Sequence, residues 1–253
     1  MNYIVLDLEF NQSFPFPKGR VIDPIPECPF EIIQIGAVKL NDSFHTIDTF
    51  DCYIEPVIYP RLHPIIGKLT GIKKADLNGQ PSFPEAMQAF AEFIGIDDAI
   101  ICTWGQDDIK SLFRNIVYYE IDPSCITYDY FNVQTFATSY LNYEIGKEIG
   151  LKNATLELNL DTALSFHNAL NDAIYTSEIF KIVRPKNCIP LKFDLASLLE
   201  KKLPKRKINF KALYQDIATQ LGKESLSAEE CKLVRCAYKA GFKNSYTDTE
   251  PKK

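Results

Sequence analysis

The pattern of apolar and polar residues predicts three consecutive strands at the beginning of the chain. Residues 4–10 form an apolar run rich in β-branched side chains, which is typical of a strand buried on both faces. Residues 31–40 and 44–54 are predicted as the second and third strands, joined by a turn at 41–43. The order predicts an antiparallel meander, with a proline-rich loop at 12–30 between the first two strands.

From residue 82 the spacing of apolar residues changes, and helices alternate with strands. Ser82 and Glu85 form a capping-box pattern that opens a helix. Short buried strands are predicted at 99–103 and 126–130, each followed by a helical segment. Because strands that alternate with helices pair in parallel, the whole sheet is expected to be mixed. The predicted fold class is therefore α/β, with a mixed five-stranded sheet flanked by helices.

The composition is that of an ordinary globular protein, with 253 residues of which 46% are hydrophobic and 24% charged. No apolar stretch reaches the roughly 18 residues that a membrane span needs, so we expect no membrane partner and a cytoplasmic location. The seven cysteines include no C-x-x-C pair and have no histidine at zinc spacing. We therefore expect reduced thiols rather than disulfide bonds or a zinc site.

The net charge of −5 conceals an asymmetry between the two parts of the chain. Residues 1–185 contain 13 Lys and Arg against 25 Asp and Glu, whereas residues 186–253 contain 15 against 8. We interpret the second part as a small, basic, mainly helical extension with a basic run at 201–207 and a disordered end from 244. This extension favours a polyanionic substrate, although a solvated basic surface without a partner is an equally good interpretation.

Two pairs of acids stand at predicted strand ends. Asp7 and Glu9 alternate on the first strand and therefore point to the same side. Two like charges held so close are costly unless a cation, a proton or a ligand lies between them. Asp107 and Asp108 follow the strand at 99–103, where a helix begins. Acids also stabilise helix N-termini without any further role, so this second pair alone is ambiguous.

A third cluster contains His167 and Asp172, which we predict to lie on one helix. At five residues apart they would be displaced by about 140° around the helix axis, so that both could border one cleft without touching. Alone, His167 is better explained as a packing or capping residue, and Asp172 as a helix-face acid. Four acids from three places, together with a histidine, form the pattern expected of a two-metal phosphodiester hydrolase.

These three clusters resemble the three motifs of the DEDDh (DnaQ-like) 3′–5′ exonucleases, which have a ribonuclease-H-like fold. Asp108, which is followed by an apolar residue and by a leucine one turn later, fits the middle motif better than Asp107. The segments at 31–38 and 69–72 are also similar to family segments. The long insert after the first motif and the stretch at 104–108 resemble the Eri-1-like exoribonuclease branch. The resemblance covers residues 1–184, and we predict an exonuclease domain at 1–185.

The resemblance implies that two Mg²⁺ or Mn²⁺ ions are bound by Asp7, Glu9, Asp108 and Asp172. Asp7 would bridge the two ions, Glu9 and Asp172 would hold the ion on the side of the attacking water, and Asp108 would support the other. Hard oxygen ligands select such ions over zinc. His167 would be the general base, and the product would be a 5′-mononucleotide.

The resemblance also implies a substrate. We expect single-stranded nucleic acid cut from its 3′ end, and the branch favours RNA. A DNA-directed exonuclease, or a non-catalytic regulatory protein that keeps the fold, are the alternatives; protein partners stay unknown. The implied substrate-binding residues are Phe10, Asn11, Leu69 and Thr70, with Asn11 standing where the family usually has threonine. Phe10 and Leu69 would stack on the terminal base, unless both simply pack in the core.

Overall fold

A computed structural model describes residues 1–14, 24–95, 98–144, 146–199 and 209–242. The chain divides into two compact units, Met1–Glu200 and Lys201–Lys253. The six strands are β1 (Asn2–Asn11), β2 (Glu31–Leu40), β3 (Thr46–Tyr53), β4 (Ala99–Thr103), β5 (Asp129–Asn132) and β6 (Leu191–Lys192). The helices of the first unit are α1 (Pro64–Thr70), α2 (Lys74–Leu77), α3 (Phe83–Ile94), α4 (Asp107–Tyr118), α5 (Val133–Tyr140), α6 (Leu151–Glu157), α7 (Ala169–Val183) and α8 (Leu195–Leu199), with a 3₁₀ turn at Pro123–Cys125.

The strands form one mixed sheet in the order β3-β2-β1-β4-β5-β6. The first three strands pair antiparallel, and β1, β4 and β5 pair in parallel, so the predicted α/β class and mixed sheet are confirmed. The predicted number of five strands is wrong, because β6 pairs antiparallel with β5. A strand of two residues is too short to leave an alternating pattern in the sequence. It lies within residues 186–253, so part of the predicted extension belongs to the first unit.

Both faces of β1 are covered, as its apolar run predicts. Ile4, Leu6 and Leu8 pack in a core cluster with residues of α3 and α4. Tyr3 and Val5 pack on the opposite face in a second cluster that includes residues of α7. Because side chains alternate along a strand, Asp7 and Glu9 continue the row that begins with Tyr3 and Val5. The two acids are therefore on the α7 side of the sheet, where the apolar row ends.

The second unit contains α9 (Phe210–Gln220) and α10 (Ala228–Phe242). Asn209 caps α9 by accepting a hydrogen bond from the Ala212 amide at 3.1 Å. Ser227 and Glu230 form a capping box before α10, with reciprocal bonds of 2.8 and 3.2 Å. The basic run at 201–207 and the end predicted as disordered lie outside the described residues. Among the described helices, none is long and apolar enough to cross a membrane.

Candidate metal centre

Three carboxylates converge where β1 meets the first turn of α7. Asp7 and Glu9 come from β1 and Asp172 from α7, and each offers an oxygen that lies within 4.8 Å of the other two. Such a spacing allows a single cation to contact all three carboxylates. The structure therefore brings together three of the four acids that the sequence assigned to a metal site.

Asp108, the fourth acid, lies in the first turn of α4 and is buried. β4 runs parallel to β1, so the helix that follows β4 begins at the same edge of the sheet. Burial raises the pKa of Asp7 and the charge of Asp108 raises it further, so the two carboxylates lie within electrostatic range of each other. The side chain of Asp107 is 98% exposed, and its Oδ1 lies 3.9 Å from Nζ of Lys110. Burial therefore favours Asp108, as the sequence pattern did, while its role as a metal ligand stays a prediction.

Burial raises the pKa of all four carboxylates, and the charges of neighbouring acids raise it further for Asp7, Glu9 and Asp108. Burial raises the pKa of Asp7, and the charges of Asp108, Asp172 and Glu9 raise it further. Burial, followed by the charge of Asp172, raises the pKa of Glu9 to about 7. Burial also raises the pKa of Asp108, to about 8, with contributions from neighbouring acids. None of the four forms an ion pair with a described Lys or Arg. Among the described residues, no Lys or Arg therefore lies within ion-pair distance of the cluster.

The hydrogen bonding of the Asp172 carboxylate shows whether the cluster fits a metal ion. Oδ2 accepts a hydrogen bond of 3.0 Å from the His167 amide. Oδ1 is buried and has no hydrogen-bond partner among the described residues. A buried carboxylate oxygen without a partner is costly. Carboxylate oxygens are the ligands that Mg²⁺ and Mn²⁺ prefer, so the donors present fit such an ion.

His167 lies outside the helix that the sequence predicted for it. α7 begins at Ala169, and Asn168 caps it by accepting a hydrogen bond of 3.2 Å from the Asn171 amide. His167 precedes this cap in an exposed loop, with φ of 64°. The prediction of one helix with a 140° displacement is therefore wrong. Asn168 was the available signal, because asparagine is among the preferred N-cap residues. Burial raises the pKa of Asp172, and the backbone hydrogen bond and the side chain of His167 offset part of this rise, so the imidazole lies within electrostatic range of the cluster.

The side chain of Asn11 is bonded to the backbone of residues 59–63. Its side chain is completely buried. Its Nδ2 donates to the carbonyl oxygens of Tyr59 at 2.8 Å and Arg61 at 3.1 Å, and its Oδ1 accepts from the His63 amide at 2.9 Å. Every polar atom of the amide is used to hold residues 59–63, so nothing in this geometry supports a substrate contact by Asn11, which stays a prediction. The sequence gives no sign of partners that lie so far along the chain.

The other predicted substrate residues differ in their exposure to solvent and in their contacts within the protein. Leu69 is 52% exposed on α1 and is available to a ligand. The Thr70 hydroxyl donates to the Ile66 carbonyl and accepts from the Ile72 amide, so it takes part in ending α1. Phe10 is half-buried and packs on the first core cluster, with its ring centroid 6.1 Å from that of Phe30. Substrate contacts by Phe10, Leu69 and Thr70 stay predictions.

Comparison with known proteins connects this site to nucleases. A family model described as "Exonuclease" (RNase_T) matches residues 4–180. The ERI1 exoribonuclease 3 of Mus musculus is 29% identical over a match that covers 66% of this chain and 55% of the relative. The probable 3′-5′ exonuclease KapD of Bacillus subtilis (strain 168) is 26% identical over 78% of this chain and 96% of the relative. The DNA polymerase III subunit epsilon of Aquifex aeolicus (strain VF5) is 28% identical over a match that covers 70% of this chain and 78% of the relative. The match spans about half the length of the ERI1 exoribonuclease 3 relatives.

Solved structures share the fold at low sequence identity. The nuclease domain of 3′hExo, described as a DEDDh family member bound to rAMP, has a TM-score of 0.59 and 19% identity, with coverage of 70% of this chain and 88% of that one. Exonuclease I of E. coli in complex with a dA16 oligonucleotide has a TM-score of 0.56 and 14% identity, with coverage of 73% and 41%. The same architecture therefore occurs in structures that contain ribonucleotide and deoxyribonucleotide ligands.

Proposed function

The chain belongs to the exonuclease (RNase T) family, and from this premise we propose that it is a metal-dependent 3′–5′ exonuclease that releases 5′-mononucleotides from single-stranded nucleic acid. The resemblance to the DEDDh exonucleases is confirmed by the relatives and structural neighbours. The observation that carries the proposal is the convergence of Asp7, Glu9 and Asp172 within 4.8 Å, without an ion pair to any described basic side chain.

Each residue has a distinct task in this proposal. Asp7, Glu9 and Asp172 would hold one ion, and Asp7 with Asp108 would hold the second. Two Mg²⁺ or Mn²⁺ ions supply positive charge at the attacking and leaving oxygens of the phosphodiester. His167 would accept a proton from the attacking water, a task for which an imidazole on an accessible loop is suited. The hydrogen bond from the His167 amide to Asp172 keeps the loop beside the carboxylates.

RNA is the favoured substrate in our proposal, on the basis of the ERI1 exoribonuclease 3 relatives. A DNA-directed exonuclease is the second candidate, since DNA polymerase III subunits are also among the relatives. A regulatory protein that only binds would have no need for a cluster of four acids, two of which, Asp108 and Asp172, are buried. We place the activity in the cytoplasm and assign the nuclease function to residues 1–185, with 186–253 as a basic extension that supports binding of the polyanion.

Degradation of single-stranded RNA and DNA of the same sequence tests the proposal. Each oligonucleotide should carry a 5′ label and be incubated with Mg²⁺ or Mn²⁺, so that shortening from the 3′ end gives a ladder. Chromatography of the products should identify 5′-mononucleotides. Asp7→Asn is the control variant and should abolish hydrolysis. Cleavage of neither oligonucleotide, or full activity in Asp7→Asn, would refute the assignment.

A further inference from the structure

Gln34 is a completely buried polar side chain beside the candidate metal centre. Its Oε1 accepts a hydrogen bond of 3.2 Å from the amide of Ala169, the first residue of α7. Its Nε2 donates a hydrogen bond of 2.8 Å to Oδ1 of Asp51 on β3. The amide therefore connects the exposed edge of the sheet to the beginning of the helix that carries Asp172.

The strand register places this connection directly beside the acids. Glu9 is paired with Gln34, and Asp7 is paired with Gly36. The register shifts immediately after Glu9, so Phe10 is paired with Ile32 rather than with Ile33. Irregularities of this kind re-aim side chains and are frequent next to active sites. Following β1 towards its C-terminal end, the pair of Glu9 with Gln34 is thus the last one before the register shift.

α7 approaches the sheet at the same two positions. A Cβ atom on Gly36 would lie 2.1 Å from the carbonyl carbon of Ala169 and from the Leu170 nitrogen, so only glycine permits this contact. Burial raises the pKa of the Tyr53 hydroxyl, and the side chain of Asn168, which caps α7, offsets part of this rise. Asn168 therefore lies near Tyr53, which is paired with Gln34 in the sheet. Glycine at position 36 leaves room for the first turn of α7, and the hydrogen bond from the Ala169 amide to Gln34 fixes where that turn lies on the sheet.

We propose that Gln34 is a positioning residue that fixes the first turn of α7, and thereby the separation of Asp172 from Asp7 and Glu9. The inference rests on the proposed function, since it concerns the metal site of that activity. An apolar side chain of similar length would fill the same space. It would leave the Ala169 amide unpaired and would let the first turn of α7 shift away from β1. Metal sites are sensitive to such supporting hydrogen bonds, whose loss typically costs about 10–100-fold in metal affinity or activity.

The test compares three variants with the wild-type protein. Gln34→Met removes both hydrogen bonds at similar side-chain length. Gln34→Glu keeps the acceptor for the Ala169 amide but removes the donor to Asp51. The double variant Gln34→Glu/Asp51→Asn restores both bonds, with donor and acceptor exchanged between β2 and β3. Asp51→Asn alone is the matched control, because an asparagine oxygen can still accept from Gln34.

Mn²⁺ affinity without substrate should be measured by calorimetric titration, beside kcat and KM for a single-stranded oligonucleotide. We expect Gln34→Met to bind Mn²⁺ at least about 10-fold more weakly, and to lose kcat more than KM changes. The double variant should bind Mn²⁺ more tightly than Gln34→Glu, and the control should resemble the wild type. If Gln34→Met does not fold, the comparison of the double variant with Gln34→Glu decides the matter.

Two results would overturn the inference. One is wild-type Mn²⁺ affinity and kcat in folded Gln34→Met. The other is a double variant that binds Mn²⁺ no better than Gln34→Glu. Failure of the proposed function looks different, because then the wild-type protein itself neither binds Mn²⁺ nor cleaves nucleic acid.

Discussion

Replacing Glu9 by glutamine should stabilise the metal-free protein at pH 8, although Glu9 belongs to the candidate metal centre. Burial and the charge of Asp172 raise the pKa of Glu9 from 4.5 to about 7. The native state therefore binds this proton more tightly than the unfolded chain does. Between pH 4.5 and pH 7 the native state holds more protons, so its stability falls as the pH rises through this window. Below the window the penalty is absent, and above it the penalty is complete.

The size of the effect follows from the change in pKa. A rise from 4.5 to about 7 corresponds to about 3 kcal/mol of lost stability above the window. Glutamine stays neutral and avoids this loss. Glu9 is only half-buried, so solvent screens part of the repulsion, and a buried amide still loses some hydration. The expected gain in the free energy of unfolding is therefore about 1–2 kcal/mol at pH 8.

Urea unfolding in EDTA at pH 5 and pH 8 measures the prediction. Trp104 is the only tryptophan of the chain and lies in the first unit, so its fluorescence reports on the unit that holds the site. The gain of Glu9→Gln should be present at pH 8 and nearly absent at pH 5. Glu92→Gln, at an exposed position of α3, is the control and should change little at either pH. A Glu9→Gln protein that is less stable than the wild type at pH 8, or equally changed at both pH values, contradicts the reasoning.

Mn²⁺ should reverse the order of the two proteins in the same experiment. A ligand at 100 times its Kd stabilises the native state by about 2.7 kcal/mol, and Glu9→Gln should bind the ion more weakly because it lacks one charged oxygen donor. Wild-type Mn²⁺ binding should also weaken as the pH falls from 8 to 6, since protons then compete at Glu9 and Asp108. Equal stabilisation of both proteins by Mn²⁺ would remove Glu9 from the metal site.

Three further substitutions test other parts of the structure. His167→Asn, which suits the left-handed backbone at this position, should slow hydrolysis by about 10²–10⁴-fold with little change in Mn²⁺ affinity; a parallel loss of Mn²⁺ binding would contradict a role as base. Asn11→Ala should lower the free energy of unfolding in urea by about 2–4 kcal/mol, because it removes the three hydrogen bonds by which a completely buried side chain holds the backbone of residues 59–63; a neutral result would contradict the importance of these bonds. Gly36→Ala should be strongly destabilised in the same assay because its Cβ meets the backbone of α7, whereas Gly150→Ala, with no atom within 4 Å, should be tolerated.

Most of the correct predictions came from patterns within a single strand or helix. The apolar run of β1 and the capping box before α3 depend on neighbours within a few residues, so the sequence reveals them. Asp7 and Glu9 were recognised because alternation on a strand holds wherever the strand lies. The predicted position of His167 was wrong for a local reason as well, since the N-cap at Asn168 makes the helix begin only after the histidine.

Long-range partners explain what the sequence could not reveal. Asn11 binds residues about 50 positions away, and Gln34 binds Ala169, which is 135 positions away. Neither side chain differs in the sequence from an ordinary polar residue at the end or the middle of a strand. Their roles depend on the register of β1 with β2 and on the place where α7 reaches the sheet. A pattern within one element contains no information about either.

The carboxylates of the cluster repel one another, and contacts elsewhere in the first unit have to oppose this repulsion. Repulsion among Asp7, Glu9 and Asp172 acts to push α7 away from β1 whenever the acids are ionised without a cation. The opposing contacts are the apolar packing of α7 on the second core cluster and the contact of its first turn with Gly36 and Gln34. Packing alone resists the separation of helix and sheet but specifies the position of the first turn poorly. A directional hydrogen bond at Ala169 limits that position, so the separation that suits a cation is kept when no cation is bound.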